Sequence, residues 1–354
     1  MSEEVIEKKE ETKEEEQKFD NFGFEENEIS INSKGGTELS KRMVAGGLDK
    51  ELVNNFQVIC SRVRTLNPEK IRIYWLHDLP GDPECNKLKD DVYRDKFHQL
   101  VFVSNWQYQQ FQNYLNVPYD INSTVIDNPI TPIEFVEKPK DKVKLIYTST
   151  PHRGLDILVE VFDKLSQKYD HIELDVFSSY KLYGWEESDK NFEALFDKCR
   201  NHPKINYHGT KPHDEIEKAL QQSHIFAYPS TWMETSCRTV LEAMSAGCVC
   251  VHPNLAALPD TTASLNMMFQ GDKDKTVHAQ EFYRILDFAI QQHKDPKKLD
   301  VYRKYIKNYV DFRFNPKEIY NSWKIMMETL LEKYPTIESR KIIESEGYFK
   351  YEVR

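Results

Sequence analysis

The sequence predicts an α/β protein with two domains built on parallel sheets. Its 354 residues exceed a typical single domain and suit two. From Ser223 to Pro259 the chain reads as an apolar strand, a polar loop, a helix and a second strand. Such units form parallel sheets, whose ligands lie at the carboxyl ends of the strands. We therefore expect a functional site in the loop between residues 229 and 237.

This loop and the helix after it carry two carboxylates. Glu234 lies in the loop and Glu242 about one turn into the helix, which should end at Gly247. We expect Thr235 or Ser236 to cap the helix, leaving its first N–H groups to face an anion such as a phosphate. Glu242 could then accept hydrogen bonds from the two hydroxyls of a ribose. Glu234 would face a group beyond the phosphates, and nucleotide sugars have this layout.

The spacing of these carboxylates resembles a known signature. Glu234, seven residues, then Glu242, with Ala243, Met244 and Gly247 behind it, is similar to the Glu-x7-Glu motif of family 4 of the retaining glycosyltransferases. A capped surface helix with two solvated Glu would give the same spacing. Other family-like segments follow in order over roughly residues 27 to 333, which favours the resemblance. It implies a GT-B fold, two Rossmann-like domains facing a cleft.

Composition excludes several functional classes. The net charge of -10 argues against an extended nucleic-acid interface. Six Cys without a CxxC pair, and no secretory h-region, indicate reduced thiols in a cytoplasmic protein. No apolar run is long enough to span a bilayer. Eight Glu and four Lys in residues 1 to 18 predict a solvated acidic tail rather than a packed element.

Two features of the first domain point into the expected cleft. After a predicted strand at Ile29 to Ile31, Gly35 and Gly36 precede a helix, and adjacent glycines let the backbone approach a ligand closely. An ordinary tight turn is the alternative; the resemblance implies contact with the donor diphosphate. His77 follows the apolar strand IRIYWL, and the resemblance places it beside the donor sugar. Asp78 would orient the imidazole or cap the next segment.

In the second domain a basic residue stands at a helix entrance. Arg153 precedes Gly154 after the strand VKLIYT, and an Arg pairs with phosphate oxygens bidentately. The family usually has an Arg followed a few residues later by Lys-Gly. In this sequence Arg153 takes the place of the Lys of that Lys-Gly pair. The earlier Arg of the family pattern is missing, because Thr148 or Ser149 occupies its position. Arg238 is a candidate substitute.

The remaining expected contacts lie on loops around the nucleotide. Tyr180 and Lys211 are candidates for the base, although a loop Lys is usually solvated. Trp232 would line the acceptor side or pack as a rim residue. The resemblance thus implies catalytic roles for Glu234, His77 and Arg153, and donor contacts from Gly35, Gly36, Ser149, Ser178, Tyr180, Lys211, Ser236, Cys237, Arg238, Thr239 and Glu242.

The expected domain plan follows the same resemblance. Residues 1–26 form the tail, 27–140 the acceptor domain and 141–315 the nucleotide-sugar domain, with a linker near Lys138 to Asp141. A helix over 316–333, capped by Asn315 with Pro316 in its first turn, crosses back to the N-terminal domain. Residues 334–354 form a tail.

The predicted function is retaining transfer of a hexose from a nucleotide sugar to a hydroxyl acceptor by front-face attack. We expect no metal and no cofactor, because helix N-termini and Arg153 can neutralise the leaving diphosphate. The family's range suggests GDP-mannose or UDP-glucose as donor and a glycan, glycoprotein or lipid-linked acceptor. A non-catalytic nucleotide-sugar binder and a nucleotide-sugar epimerase are the alternatives. The oligomeric state stays open, a homodimer included.

Overall fold

The computed structural model describes residues 35–60, 62–120 and 122–341, which form two parallel sheets. The predicted strand at Ile29 to Ile31, the acidic tail and the last thirteen residues lie outside the described part of the chain. Within it, no helix is both long and apolar enough to cross a membrane. All six cysteines are buried.

The N-terminal sheet has four parallel strands in chain order. Its strands are β1 (Phe56–Cys60), β2 (Ile71–Leu76), β3 (Gln99–Phe102) and β4 (Ser123–Val125). Every residue of β1, β2 and β3 is buried, because helices cover both faces of this sheet. The helices Gly36–Gly47 and Pro316–Lys333 pack on one face, and Asn105–Leu115 packs on the other.

The C-terminal sheet has six parallel strands in the order β10-β9-β8-β5-β6-β7. Its buried side chains form one hydrophobic cluster with those of the helices that pack around the sheet. From β5 the sheet grows in one direction through β6 and in the other through β8, so the order reverses between β5 and β8. A ligand crevice is expected at this reversal. The strands are β5 (Val143–Thr148), β6 (Ile172–Phe177), β7 (Ile205–Tyr207), β8 (Ile225–Ala227), β9 (Val249–Pro253) and β10 (Met267–Phe269).

Helices alternate with these strands. The longer ones in the second half are Leu155–Lys168, Glu193–Asn201, His213–Gln222, Arg238–Ser245, Lys275–Gln292 and Pro296–Arg313. Short α-helices span Lys50–Val53, Pro83–Asn86, Asp91–Arg94, Glu186–Asp189, Leu258–Thr261 and Ile337–Arg340, and 3-10 turns span Lys87–Lys89, Pro151–Arg153, Tyr180–Tyr183 and Lys190–Phe192.

The helix Pro316–Lys333 returns to the N-terminal sheet. The side chain of Asn315 accepts a hydrogen bond from the Lys317 N–H at 3.0 Å, which confirms the predicted cap. Trp323, fully buried, packs edge-on against Trp75 of β2 with ring centroids 4.9 Å apart. Ile126 belongs to the core of the N-terminal sheet and Ile130 to that of the C-terminal sheet, so the chain crosses between these two residues, earlier than the linker predicted near Lys138 to Asp141. It crosses back near residue 315.

The predicted cap of the helix that carries Glu242 was wrong. The helix that carries Glu242, Arg238–Ser245, starts after Cys237 without a side-chain cap. Neither Thr235 nor Ser236 caps it, because the Thr235 hydroxyl donates instead to the carbonyl of His77, 2.8 Å away in the other domain. The next helix upstream, His213–Gln222, also starts without a side-chain cap, after Pro212. By contrast, Ser104 caps the helix Asn105–Leu115, accepting from Gln107 N at 3.1 Å.

Candidate active site

A cleft of about 1100 Å³ lies between the two sheets, and both domains line it. Its walls include the loops that follow β2, β5 and β8 and the start of the helix Gly36–Gly47. A pocket for one drug-sized ligand occupies roughly 300–1000 Å³. The cleft therefore has room for more than one ligand.

Arg153 and Glu234 meet at the reversal point of the C-terminal sheet. Arg153 follows β5 and Glu234 follows β8, and Nη1 of the guanidinium lies 3.0 Å from the Oε1 of the carboxylate. The Tyr228 hydroxyl donates to the same Oε1 at 2.7 Å. Burial acts to lower the pKa of Arg153, but Glu234, Tyr228, Tyr183 and Cys237 together outweigh it and raise that pKa above its usual value. The pair is a fixed charge assembly, with Glu234 only 7% exposed.

Glu242 is the second carboxylate on the cleft wall, 6% exposed. Its Oε1 accepts from Arg238 Nε at 2.6 Å and lies 3.4 Å from His213 Nε2. Arg238 also donates to the carbonyl of Pro129 at 2.8 Å, and its Nη2 contacts the sulfur of Met43 at 3.4 Å. Arg238 therefore ties Glu242 to the interdomain segment and to the first helix, rather than standing free for a phosphate.

The start of the Glu242 helix opens into the cleft. Ser236, Cys237 and Thr239 line the cavity, and no side chain caps the helix. The first N–H groups of any helix lack partners within it. The Ser236 hydroxyl is buried and has no hydrogen-bond partner among the described residues. Together with the partial positive charge of a helix start, these donors suit an anion.

His77 enters the cleft from the end of β2. Burial lowers the pKa of its imidazole to about 4, an effect that Asn128 partly opposes, so the ring is neutral near pH 7. The ring packs on Trp75 with centroids 4.6 Å apart. His77 also fixes the Glu234 loop, because its carbonyl accepts from Thr235 and thereby joins the two domains.

Gly35 and Gly36 face the C-terminal domain directly. A Cβ on Gly35 would collide with the Glu38 carboxylate and the ring of Tyr183, whereas a Cβ on Gly36 would meet only Arg238 Cβ, at 3.8 Å. Burial raises the pKa of Glu38, and its Oε2 has no hydrogen-bond partner among the described residues. Gly36 lines the cleft, whereas Gly35 does not belong to the lining, and the close approach at Gly35 is to Glu38 and Tyr183.

The structure gathers most of the predicted site residues on the cleft wall. Ser149 and Lys211 line it, and Lys211 lies 3.4 Å from Glu215 on the rim. Ser178 and Tyr180 do not belong to the lining. The Tyr180 hydroxyl lies 2.5 Å from His152 Nδ1, and Ser178 is buried with its carbonyl bound by Tyr207.

Several lining residues were not predicted from the sequence, among them Tyr183, His213, Trp106 and Tyr114. Tyr183 packs on Gly35, and His213 lies beside Glu242. Trp106 and Tyr114, eight residues apart, share one face of the helix Asn105–Leu115 and line the cleft opposite the C-terminal domain. The helical spacing of Trp106, Gln110 and Tyr114 was the available signal for that face.

Comparison with known proteins places this site in a family context. Residues 132–279 match the family described as glycosyl transferases group 1. The matched stretch spans β5 to β10, the whole of the C-terminal sheet. This stretch contains Arg153, Glu234 and Glu242. No curated protein shows a significant sequence match to the chain.

Solved glycosyltransferases share the whole architecture. A glycosyltransferase from Rickettsia africae ESF-5 has a TM-score of 0.62 at 12% identity, over 87% of this chain and 83% of that one. Sucrose-phosphate synthase from Thermosynechococcus elongatus has a TM-score of 0.59 at 13% identity, over 83% of this chain and 79% of that one. HepE of Anabaena in complex with UDP has a TM-score of 0.58 at 14% identity, over 82% of this chain and 77% of that one. These similarities show a GT-B fold with two Rossmann-like domains.

Proposed function

We propose that the protein transfers a hexose from a nucleoside diphosphate sugar to a hydroxyl acceptor with retention of configuration. One observation carries the proposal: Arg153 and Glu234 meet at the sheet reversal, 3.0 Å apart, on the wall of a cleft that also holds an open helix start. The group 1 domain supports sugar transfer in general. Retention, donor and metal independence belong to the proposal.

The donor would lie along the C-terminal wall. Ribose hydroxyls would bind Glu242, the diphosphate would bind the helix start at Ser236 to Thr239, and the sugar would reach Glu234. Arg153 would exchange part of its pairing with Glu234 for a phosphate oxygen, since a guanidinium has five donors. Glu234 would keep its bond from Tyr228 and offer its other oxygen to a sugar hydroxyl.

Chemistry would proceed on one face of the sugar. The bond from the anomeric carbon to the diphosphate oxygen breaks, and the acceptor oxygen bonds to the same carbon from the same side. The acceptor's proton passes to the departing phosphate oxygen. Glu234 stabilises positive charge at the anomeric carbon, while Arg153 and the helix start stabilise negative charge on the leaving group. Neutral His77 contacts the sugar without adding charge.

The test is turnover with defined donors. UDP-glucose comes first, because HepE of Anabaena has been solved with UDP-glucose, and GDP-mannose second. NMR of the product reports its anomeric configuration, and each reaction is run with and without a chelator. We expect an α-linked product from an α-linked donor in both arms. An inverted product, or turnover that stops with the chelator, would refute the corresponding part of the proposal.

A non-catalytic nucleotide-sugar binder is the second candidate. It is favoured by Thr148, whose hydroxyl contacts that of Thr239. At this position the family resemblance leads us to expect a cationic phosphate ligand, and a Thr carries no charge. Tight binding of a nucleotide sugar with neither hydrolysis nor transfer, and no effect of Glu234→Gln on that binding, would favour the binder.

A further inference from the structure

The helix Pro296–Arg313 presents a row of large apolar side chains to solvent. Val301 is 73% exposed, Tyr305 is 61% exposed and Phe312 is 80% exposed. Their spacing along the chain puts all three on one face of the helix, and we call them the outer stripe. A single exposed apolar residue is common on a protein surface, whereas a row of three on one helix indicates a contact with another body.

The inner face of this helix fixes the direction of the outer stripe. Ile306 and Val310 are fully buried in the core around the C-terminal sheet. Arg303 is also buried, and its Nε donates to the carbonyl of Gly247 at 2.6 Å. The helix therefore cannot rotate to cover the outer stripe without losing its own core contacts.

Lysines flank the outer stripe on both sides. With about 3.6 residues per turn, Lys297 and Lys304 lie along one edge of the stripe and Lys298 lies along the other. All three lysines are exposed. The stripe is thus an apolar centre between two basic edges.

The net charge of this surface is positive. From its cap, Asp295, to Arg313 the helix carries six Lys or Arg and three Asp. Asp300 is paired with Arg303 at 2.7 Å, and Asp311 is paired with Lys307 at 2.6 Å. The chain as a whole carries a charge of -10, so any attraction to an anionic surface has to come from a local cluster such as this one.

We propose that the outer stripe and its three lysines bind the surface of an anionic phospholipid membrane. The apolar and aromatic side chains would enter the boundary between headgroups and acyl chains, and the lysines would contact lipid phosphates. An apolar centre with lysines at its edges is the arrangement found on helices that lie in this boundary. A second copy of the chain is disfavoured as the occupant, because its own lysines would face these.

Vesicle flotation of the full chain tests the proposal. Phosphatidylcholine vesicles are used with and without phosphatidylglycerol, each at low and at high salt. We expect binding to the anionic vesicles that weakens as the salt concentration rises, because salt screens the lysine contacts. Replacing Tyr305 and Phe312 together by Ser should weaken this binding by roughly 10-fold or more. Replacing the three lysines together by Gln should weaken it roughly 30- to 100-fold.

Matched variants control for the loss of an exposed ring or charge. Tyr119→Ser is the control for the aromatic pair, because Tyr119 is 86% exposed and belongs to the other domain. The control for the lysines replaces three exposed lysines elsewhere on the C-terminal domain by Gln, namely Lys164, Lys198 and Lys273. Both controls should bind anionic vesicles like the wild type.

A fluorescent label locates the contact. The native cysteines are buried, so Phe312→Cys introduces an accessible thiol for an environment-sensitive fluorophore. Its emission should shift to the blue with anionic vesicles, whereas the same label on Tyr119→Cys should not shift.

Four outcomes would overturn the inference. The wild type would fail to bind anionic vesicles, or would bind neutral vesicles equally well, or the helix variants would bind like their controls. In the fourth, another occupant covers the stripe: polyglutamate rather than vesicles shifts the label, or sedimentation shows a dimer that the Tyr305 and Phe312 substitutions separate.

Discussion

Nη1 of Arg153 lies 3.0 Å from Oε1 of Glu234, so the ends of β5 and β8 are joined by a buried ion pair at the point where the sheet order reverses. The two charges have different tasks in the proposed reaction, one facing phosphate and the other sugar. In the free protein each neutralises the other, and the hydroxyl of Tyr228 holds the carboxylate in place. Donor binding must redistribute this pairing.

Replacing Glu234 by Gln should lower kcat for transfer roughly 10²- to 10³-fold, because a neutral amide cannot stabilise charge at the anomeric carbon. Nucleotide affinity should change much less, since the carboxylate is assigned to the sugar. Steady-state kinetics with UDP-glucose and calorimetry with UDP give the two numbers. A variant that retains kcat would remove Glu234 from the mechanism.

Glu242 should be coupled to the ribose. Glu242→Gln is expected to weaken UDP binding by about 1.5–3 kcal/mol, roughly 10- to 100-fold, because a hydrogen bond to a charged acceptor is lost. Calorimetry with UDP and with its 2′,3′-dideoxy analogue forms a double-mutant cycle. The analogue should bind wild type and variant equally; an additive cycle would contradict the contact.

The two glycines should respond differently to the same change. Gly35→Ala places a methyl group against the side chains of Glu38 and Tyr183, so these side chains or the first helix must shift, and the free energy of unfolding should fall by about 1–3 kcal/mol. Gly36→Ala has room for its methyl group and should cost little. Thermal denaturation and UDP titration of both variants check this. Equal losses would show that the contact between Gly35 and Tyr183 does not hold the domains.

Acid should destabilise the fold through its buried histidines. Burial lowers the pKa of His77 and of His252 to about 4, against about 6.5 in an unfolded chain. Between these pH values the unfolded state binds more protons than the folded state. The stabilisation from the neutral histidines is therefore fully present above pH 6.5, and the free energy of unfolding falls as the pH drops towards 4. Each such histidine contributes about 1.4 kcal/mol per pH unit within that window.

His252 offers a specific check on the acid response. Its Nε2 lies 3.0 Å from the Asn266 amide nitrogen, and its Nδ1 donates to the carbonyl of Pro253 at 2.9 Å. Protonation would turn Nε2 into a donor and break the contact with Asn266. His252→Gln should lower the free energy of unfolding at pH 7. It should also make that free energy fall less steeply between pH 6 and 4.5, because about one proton fewer is taken up on unfolding. Urea unfolding at several pH values measures the slope, and an unchanged slope would contradict the assignment.

Local sequence patterns correctly predicted those strands and helix starts that depend on residues close together in the chain. Continuous apolar runs predicted β2 and β5, and an Asn before a Pro predicted the start of the last long helix. The predicted cap of the Glu242 helix was wrong, because the Thr235 hydroxyl donates to the carbonyl of His77, 158 residues away in the chain. The aromatic face of Trp106 and Tyr114 was missed for a related reason. Their helical spacing shows a shared face, but only the opposite domain makes that face a cleft wall.

The loop with Glu234 is anchored to the other half of the molecule by two hydrogen bonds: Thr235 donates to the carbonyl of His77 at 2.8 Å, and Ser104 donates to the carbonyl of Thr235 at 2.7 Å. A chimaera that joined this C-terminal domain to a foreign N-terminal domain would keep Arg153 and Glu242 but lose both anchors. Donor recognition would then survive grafting while the position of Glu234 would not. An active hybrid would therefore need a backbone carbonyl in the place of that of His77 and a hydroxyl in the place of that of Ser104.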